Sequence, residues 1–276
     1  MIQIGDYNNL RIDRITGPGA FLADEEEESI LLPGKYLLPS HQIDDYIKVF
    51  VYKDNEGRPI ATTLEPHLTI GQFGFLEINQ LTQAGAFCDM GIQKDVLLPF
   101  REQMNEPQAG DTVLVYLFLD PKSERLVASQ RIHRYLKLHK ADLAEKQEVE
   151  IIVWAETPMG YKCIVNQKYS GILYKNEVFG TIKTDRSMRA YVKKCREDGK
   201  LDLSLQALGV PGLEQASERL LEAIKKSGGQ LPLHDKSNPE AIKSALGMSK
   251  KAFKRAAGQL YKQKLIQISE KGIKLL

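Results

Sequence analysis

The sequence has few cysteines and no long hydrophobic run. Only Cys88, Cys163 and Cys195 occur among 276 residues, and no two of them form a CxxC pair, so the pattern supports neither a disulfide framework nor a zinc knuckle. No apolar run approaches the roughly 20 residues that cross a bilayer. Residues 1–6 lack the basic and apolar regions that begin a signal peptide. We therefore expect a cytoplasmic protein without disulfide bonds.

The sequence also lacks the motifs that mark common catalytic and cofactor sites. It contains no GxSxG, HExxH, Walker-type loop or dinucleotide fingerprint. Its histidines do not have the spacing of metal ligands; they are His41, His67, His133, His139 and His234. The chain is therefore predicted to be a binding protein and not an enzyme, and no cofactor or metal ion is expected.

Charge is distributed unevenly along a chain whose length predicts two to four domains. Residues 1–64 hold six Lys and Arg against eleven Asp and Glu, and residues 65–137 hold seven against nine. The balance then reverses, with twelve against ten in residues 138–213 and thirteen against six in residues 214–276. Binding of a polyanion is therefore expected in the C-terminal half.

An internal repeat with an offset of 66 aligns residues 4–63 with residues 70–129 without a gap. Gly19-Ala20-Phe21 meets Gly85-Ala86-Phe87, and both copies continue with Leu-Leu-Pro. Apolar residues alternate with polar ones, and two strand-like runs in each copy end at turns. About five strands in about 65 residues predict a small closed barrel, in which no strand edge stays open.

A third copy is more diverged and begins after a segment rich in Lys, Arg, Glu and Ala. Aligning Gly160 with Gly85 gives four strands, at residues 149–153, 161–165, 171–174 and 201–205. The preceding segment, residues 131–147, is predicted to be a linker or a short helix.

From Glu214 onward the apolar spacing becomes helical. Gly228-Gly229 ends a first helix, Ser237 or Asn238 caps a second, and Ser249 caps a third. Alternating residues near the C-terminus predict a β-hairpin. Three helices followed by a hairpin indicate a winged helix-turn-helix domain.

The order of Gly-Ala-Phe, a Leu-Leu segment, a hairpin and a last strand at Leu203-Ser204-Leu205 resembles the S1 RNA-binding domain of the OB-fold superfamily. Three such domains before a winged helix are similar to the CvfB (conserved virulence factor B) family of bacterial RNA-binding proteins. The resemblance implies a mainly β, multidomain chain with three tandem S1-like OB-fold barrels and an α+β winged helix-turn-helix domain. It also implies a cytoplasmic, regulatory role. The predicted domains are 1–64, 65–137, 138–213 with an N-terminal linker, and 214–276.

The resemblance places RNA on one face of each barrel, where aromatic rings stack on bases and cations hold phosphates. It aligns Phe21 and Phe87 with a stacking position, and Arg58 and Arg125 with a basic position on the last hairpin. Whether the two phenylalanines face outward or into the core stays open at this point. The acidic loop at residues 24–28 favours a spacer or protein-contact role for the first copy. The candidates in the third copy are Tyr161, Lys162, Lys168, Tyr174, Lys175 and Lys200.

The third helix and the wing carry the most basic surface in the C-terminal domain. In winged helices this helix often enters a nucleic-acid groove, although an exposed basic helix can also serve solubility or protein contacts. Because Lys predominates, base-specific recognition is not expected. The candidates are Lys250, Lys251, Lys254, Arg255, Lys262 and Lys271.

Three functions remain open. The first is a single-stranded RNA binder that regulates translation or transcript stability. The second is a DNA-binding transcription regulator that acts through the winged helix. The third is a ribosome- or protein-associated factor whose barrels are mostly scaffold.

Overall fold

The computed structural model of the chain describes residues 1–137, 141–178, 182, 184–206, 210–269 and 272–276. The chain divides into two compact units, Met1–Tyr135 and Leu136–Leu276. The first unit contains two closed barrels, and the second contains a third barrel and the C-terminal helical domain. The predicted fold class is confirmed, whereas the domain boundaries given above stay a prediction.

Barrel 1 closes in the order β1-β2-β3-β5-β4. Alternate residues of β1 and β4, among them Ile12 and Val49, are fully buried and form its core, as the period of two requires. Its strands are β1 (Tyr7–Thr16), β2 (Gly19–Ala23), β3 (Ser29–Pro33), β4 (Tyr46–Lys53) and β5 (Pro59–Thr62).

Barrel 2 repeats this topology, and Leu76 and Ile78 fill its core where Leu10 and Ile12 fill that of barrel 1. The repeat seen in the sequence is therefore a repeat of structure. Its strands are β6 (Phe73–Thr82), β7 (Gly85–Cys88), β8 (Val96–Pro99), β9 (Thr112–Leu119) and β10 (Leu126–Ser129).

Barrel 3 has the same strand order again. The four strands predicted for it are confirmed, and a further long strand, β14 (Ser187–Cys195), was not identified from the sequence. Within the described part of residues 131–147 the structure has a short 3-10 helix at Ile132–Arg134 and no α-helix, so this part is a linker that includes one short helical turn. The strands are β11 (Glu148–Glu156), β12 (Gly160–Val165), β13 (Tyr169–Tyr174), β14 (Ser187–Cys195) and β15 (Leu201–Ser204).

A glycine begins the second strand of every barrel because the next strand leaves no space for a side chain. A Cβ atom on Gly19, Gly85 or Gly160 would lie 2.1, 2.3 or 2.4 Å from a backbone carbonyl oxygen of that strand. Such a close approach of two backbones is possible only at glycine. The first residue of the Gly-Ala-Phe motif must therefore be glycine for the two strands to pack.

The C-terminal domain has three helices and a three-stranded sheet of order β16-β18-β17. The side chain of Asn238 accepts a hydrogen bond from the Glu240 amide, and that of Ser249 accepts one from the Ala252 amide, so both predicted caps are present. Gly247 ends the second helix in the left-handed conformation. The elements are α1 (Val210–Lys226), β16 (Gln230–Leu231), α2 (Pro239–Leu246), α3 (Lys250–Lys262), β17 (Ile266–Ser269) and β18 (Gly272–Leu275).

In the described part of the chain, no helix combines the length and the apolar character that crossing a membrane demands.

Candidate nucleic-acid interface

Each barrel carries a row of five outward side chains across its strands, which we call the outer row. A β-bulge in the first strand of each barrel sets where the row begins. Strand pairing gives the row Arg14, Phe21, Leu31, Ile60 and Tyr52 in barrel 1. The equivalent row in barrel 2 is Gln80, Phe87, Leu97, Val127 and Phe118. In barrel 3 it is Ala155, Lys162, Ile172, Asp202 and Lys194.

In barrel 1 the candidate residues are engaged in contacts within the barrel. Phe21 is half-buried on the outer face, while its neighbours Ala20 and Leu22 lie in the core. The guanidinium carbon of Arg14 lies 4.1 Å from the centre of the Phe21 ring. Arg58 forms 2.8 Å ion pairs with two carboxylates of its own hairpin. Neither candidate of barrel 1 is free of an intramolecular partner.

In barrel 2, Phe87 also faces outward, into a groove of about 170 Å³ that the β4–β5 hairpin of barrel 1 helps to form. The Nζ of Lys94 donates a hydrogen bond of 2.8 Å to the Lys53 carbonyl oxygen. Arg125 likewise donates from Nη2 to the Asn55 carbonyl oxygen at 2.9 Å. Burial lowers the pKa of Lys94. The cations beside Phe87 are therefore directed at the backbone of barrel 1.

Barrel 3 has an exposed cation where the other barrels have phenylalanine. Lys162 pairs with Ala155 and Ile172 in the register that Phe87 occupies in barrel 2. Tyr161 takes the position of Ala86, and its side chain packs against the barrel core. The alignment of Gly160 with Gly85 thus separates two adjacent candidates: Lys162 lies on the outer face, and Tyr161 does not.

The remaining candidates of barrel 3 differ in how freely they are presented. Tyr174 lies on the outer face, and its hydroxyl donates a 3.3 Å hydrogen bond to Oδ1 of Asp202. Lys175 and Lys200 are exposed but pair with nearby carboxylates at 2.7 and 3.1 Å. Lys168 is exposed, and its ammonium lies over the ring of the next residue.

Trp154 is a prominent feature of barrel 3 that was not among the candidates from the sequence. It is the extra residue of the β11 bulge and is half-buried, and the ammonium of Lys162 lies 5.2 Å from its ring centre. Its Nε1 is buried and has no hydrogen-bond partner among the described residues. The available signal was that this is the only tryptophan of the chain.

The helix α3 presents its cations on the side opposite its packed face. Lys251, Lys254, Arg255 and Lys262 are exposed and Lys250 is half-buried, and none has an ion-pair partner within the part of the chain that the structure describes. The buried face consists of Phe253, Ala256, Ala257 and Leu260. Tyr261, which was not a candidate from the sequence, is 57% exposed beside Lys262. The wing candidate Lys271 lies outside the described residues.

The three cysteines are free thiols. Burial raises the pKa of Cys88 and of Cys163 to about 12, so both stay protonated as core side chains at neutral pH. Within the described ranges no group of three His, Cys, Asp or Glu side chains is arranged as metal ligands would be.

Known protein families match most of this architecture. The S1 domain family model matches residues 4–64 and 70–131, and the CvfB-like winged helix domain matches residues 218–275. Conserved virulence factor B of Staphylococcus epidermidis (strain RP62A) is 26% identical over 274 residues, covering 96% of this chain and 92% of that protein. Its namesake from Staphylococcus aureus (strain USA300) is 27% identical, covering 96% and 91%.

Among solved structures, a multidomain protein with nucleic acid binding domains from Streptococcus pneumoniae is 24% identical. The match covers 99% of this chain and 98% of that one, with a TM-score of 0.42. At that TM-score the likeness carries no weight for function. The S1 and winged-helix domains themselves support nucleic-acid binding. With these two domain types matched and its relatives aligned over nearly its whole length, the chain resembles the conserved virulence factor B proteins.

Proposed function

We propose that this protein binds single-stranded RNA through barrel 3 and α3, and that it is a cytoplasmic regulator of translation or transcript stability and not an enzyme. The observation that carries the proposal is the change in the outer row. Phe21 and Phe87 are replaced by the exposed Lys162 in barrel 3, and Lys194 stands where the other barrels have Tyr52 and Phe118.

The first two barrels are poorer partners for a phosphate backbone. Acidic residues outnumber basic ones in residues 1–64 and 65–137, which disfavours a polyanion. Their outer rows are mainly apolar, and the hairpin of barrel 1 borders the row of barrel 2. We infer that these two barrels support the rest of the chain or contact another protein.

The helix α3 supplies a second basic surface. Most of its exposed cations are Lys, whose ammonium is a compact point charge that can bind phosphate oxygens in any sequence. The same exposed helix follows a tight turn after α2, an arrangement that also fits a duplex groove. A DNA-binding transcription regulator is therefore the second candidate. A ribosome- or protein-bound scaffold is the third.

Titration of the full-length protein with labelled RNA, single-stranded DNA and duplex DNA of one sequence, at several salt concentrations, tests the proposal. We expect single-stranded RNA to bind most tightly. The logarithm of its binding constant should fall with the logarithm of salt concentration by roughly 0.7 for each phosphate bound. Tighter binding of the duplex would favour the second candidate. Failure of all three probes to bind would favour the scaffold.

A further inference from the structure

We propose that Trp154 is the residue on which barrel 3 stacks an unpaired base, with Lys162 holding a phosphate of the same strand. The proposal rests on the proposed function and names the site at which barrel 3 engages its ligand. The ligand class is a single-stranded nucleotide chain, whose bases expose their faces.

The cation and the aromatic ring of the outer face have exchanged strands between barrel 1 and barrel 3. In barrel 1, Arg14 on the first strand lies over Phe21 on the second strand. In barrel 3, Lys162 on the second strand lies over Trp154 on the first strand. Barrel 3 therefore lacks the phenylalanine that the other two barrels carry on the second strand and has a larger ring one strand away.

The β-bulge is what makes Trp154 available. The extra residue of the bulge is Asp13 in barrel 1 and Asn79 in barrel 2, and neither carries an aromatic ring. The indole Nε1 is buried while the residue as a whole is only half-buried, so one edge of the indole is covered and another part of the residue is exposed.

A ligand can displace the ammonium of Lys162 from the ring of Trp154. Lys162 is exposed and has no carboxylate partner among the described residues, and an ammonium over an exposed ring is held only weakly. Arg14, by contrast, is also bound to the Asp13 carboxylate at 2.6 Å. A base that stacks on the indole would displace the ammonium of Lys162, which would then be placed to meet a phosphate.

The single tryptophan gives a direct test in the unmodified, full-length protein, because all indole fluorescence comes from Trp154. The probes are short unlabelled oligo(A) RNA, oligo(A) DNA and inorganic phosphate, and the anisotropy of labelled oligo(A) RNA measures binding independently. We expect oligo(A) RNA to quench or shift the emission with the same midpoint as the anisotropy, and phosphate alone to leave it unchanged. A similar response to oligo(A) DNA would support the site and show that it does not select RNA.

An unchanged emission while the anisotropy reports RNA binding would overturn the role of Trp154 and leave the proposed function standing. No anisotropy change with RNA would overturn both. The two failures are thus distinguishable without any variant.

Variants extend the test. Trp154→Leu should weaken RNA binding roughly tenfold, since the stacking of one base is removed, whereas Trp154→Phe should retain most of the affinity. Asn79→Leu, at the same bulge position of barrel 2, is the matched control and should leave the affinity unchanged. Lys162→Gln should lower the slope of log RNA-binding constant against log salt concentration by roughly the amount expected for one bound phosphate. Equal losses of affinity for Trp154→Leu and Asn79→Leu would contradict the proposal, and thermal melting of each variant identifies any that fails to fold.

Discussion

The ammonium of Lys53 lies 2.7 Å from Oε2 of Glu124, and this ion pair joins the β4–β5 hairpin of barrel 1 to the turn between β9 and β10 of barrel 2. The Lys53 side chain is only 12% exposed, and its carbonyl oxygen accepts the hydrogen bond from Lys94. Together with the bond from Arg125 to Asn55, these contacts hold one barrel against the other on the side where Phe87 faces outward.

The Lys53–Glu124 pair predicts a pH-dependent contribution to stability. The hydrogen bond and the charge of Lys53 hold the pKa of Glu124 below its ordinary value of 4.5. Because the pKa is lowered by folding, the stabilisation is present above pH 4.5 and is lost as the pH falls through the folded-state value. Glu124→Gln should therefore lower the melting temperature at neutral pH and make less difference as the pH falls below 4.5.

The control for this prediction is Glu106→Gln, which changes an exposed carboxylate of barrel 2. Thermal melts of the three proteins across the acid range make the measurement. A difference in melting temperature between wild type and Glu124→Gln that stays constant with pH would contradict the assigned ion pair.

Gly85→Ala should unfold or strongly destabilise barrel 2. Gly85 has a φ of 139°, and a Cβ atom there would lie 2.3 Å from the Leu98 carbonyl oxygen. The strained backbone alone costs about 1–3 kcal/mol, and the steric clash adds to that cost. Gly110→Ala is the control, because Gly110 also has a positive φ but open space around it. Denaturant unfolding should rank Gly85→Ala as clearly the more destabilised, and a smaller loss of stability than for Gly110→Ala would be inconsistent with the close approach of the strands.

Replacing the exposed cations of α3 should weaken nucleic-acid binding without loss of stability. The double variant Lys254→Gln with Arg255→Gln removes two unpaired charges. For single-stranded RNA, the slope of log binding constant against log salt should fall by up to about 0.7 for each phosphate that the variant no longer binds. Lys225→Gln, exposed on α1, is the control and should keep the wild-type slope. Identical slopes for wild type, the double variant and the control would show that these α3 cations do not contact the nucleic acid.

The variant Phe87→Ala tests whether Phe87 only lines the groove or stacks on a base of RNA. Because Phe87 is half-buried on the outer face and barrel 1 borders its groove, we expect a loss of about 1–2 kcal/mol of stability and a change in RNA affinity smaller than threefold. Phe73→Ala, at a fully buried position, should cost about 3–5 kcal/mol. A tenfold loss of RNA affinity for Phe87→Ala with a small stability change would instead place RNA in the groove.

Local patterns were enough to predict the architecture. Alternation with a period of two, repeated at an offset of 66, indicated the first two barrels, and Gly85 aligned the third. Asn238 and Ser249 marked the starts of two helices through hydrogen bonds that involve only neighbouring residues. Such signals are short in range, which is why they can be recognised without the structure.

The candidate site depended on contacts between residues distant in the sequence. Whether Phe21 and Phe87 face outward depends on which face of their strands is turned toward the interior when the barrel closes. The place of Lys162 beside Trp154 follows from a bulge that shifts the register of β11 by one residue. The link between Lys53 and Glu124 spans 71 positions. The sequence alone therefore determined three barrels and a winged helix, whereas strand register and barrel closure, which arise only from tertiary pairing, decided which side chains meet on the outer faces.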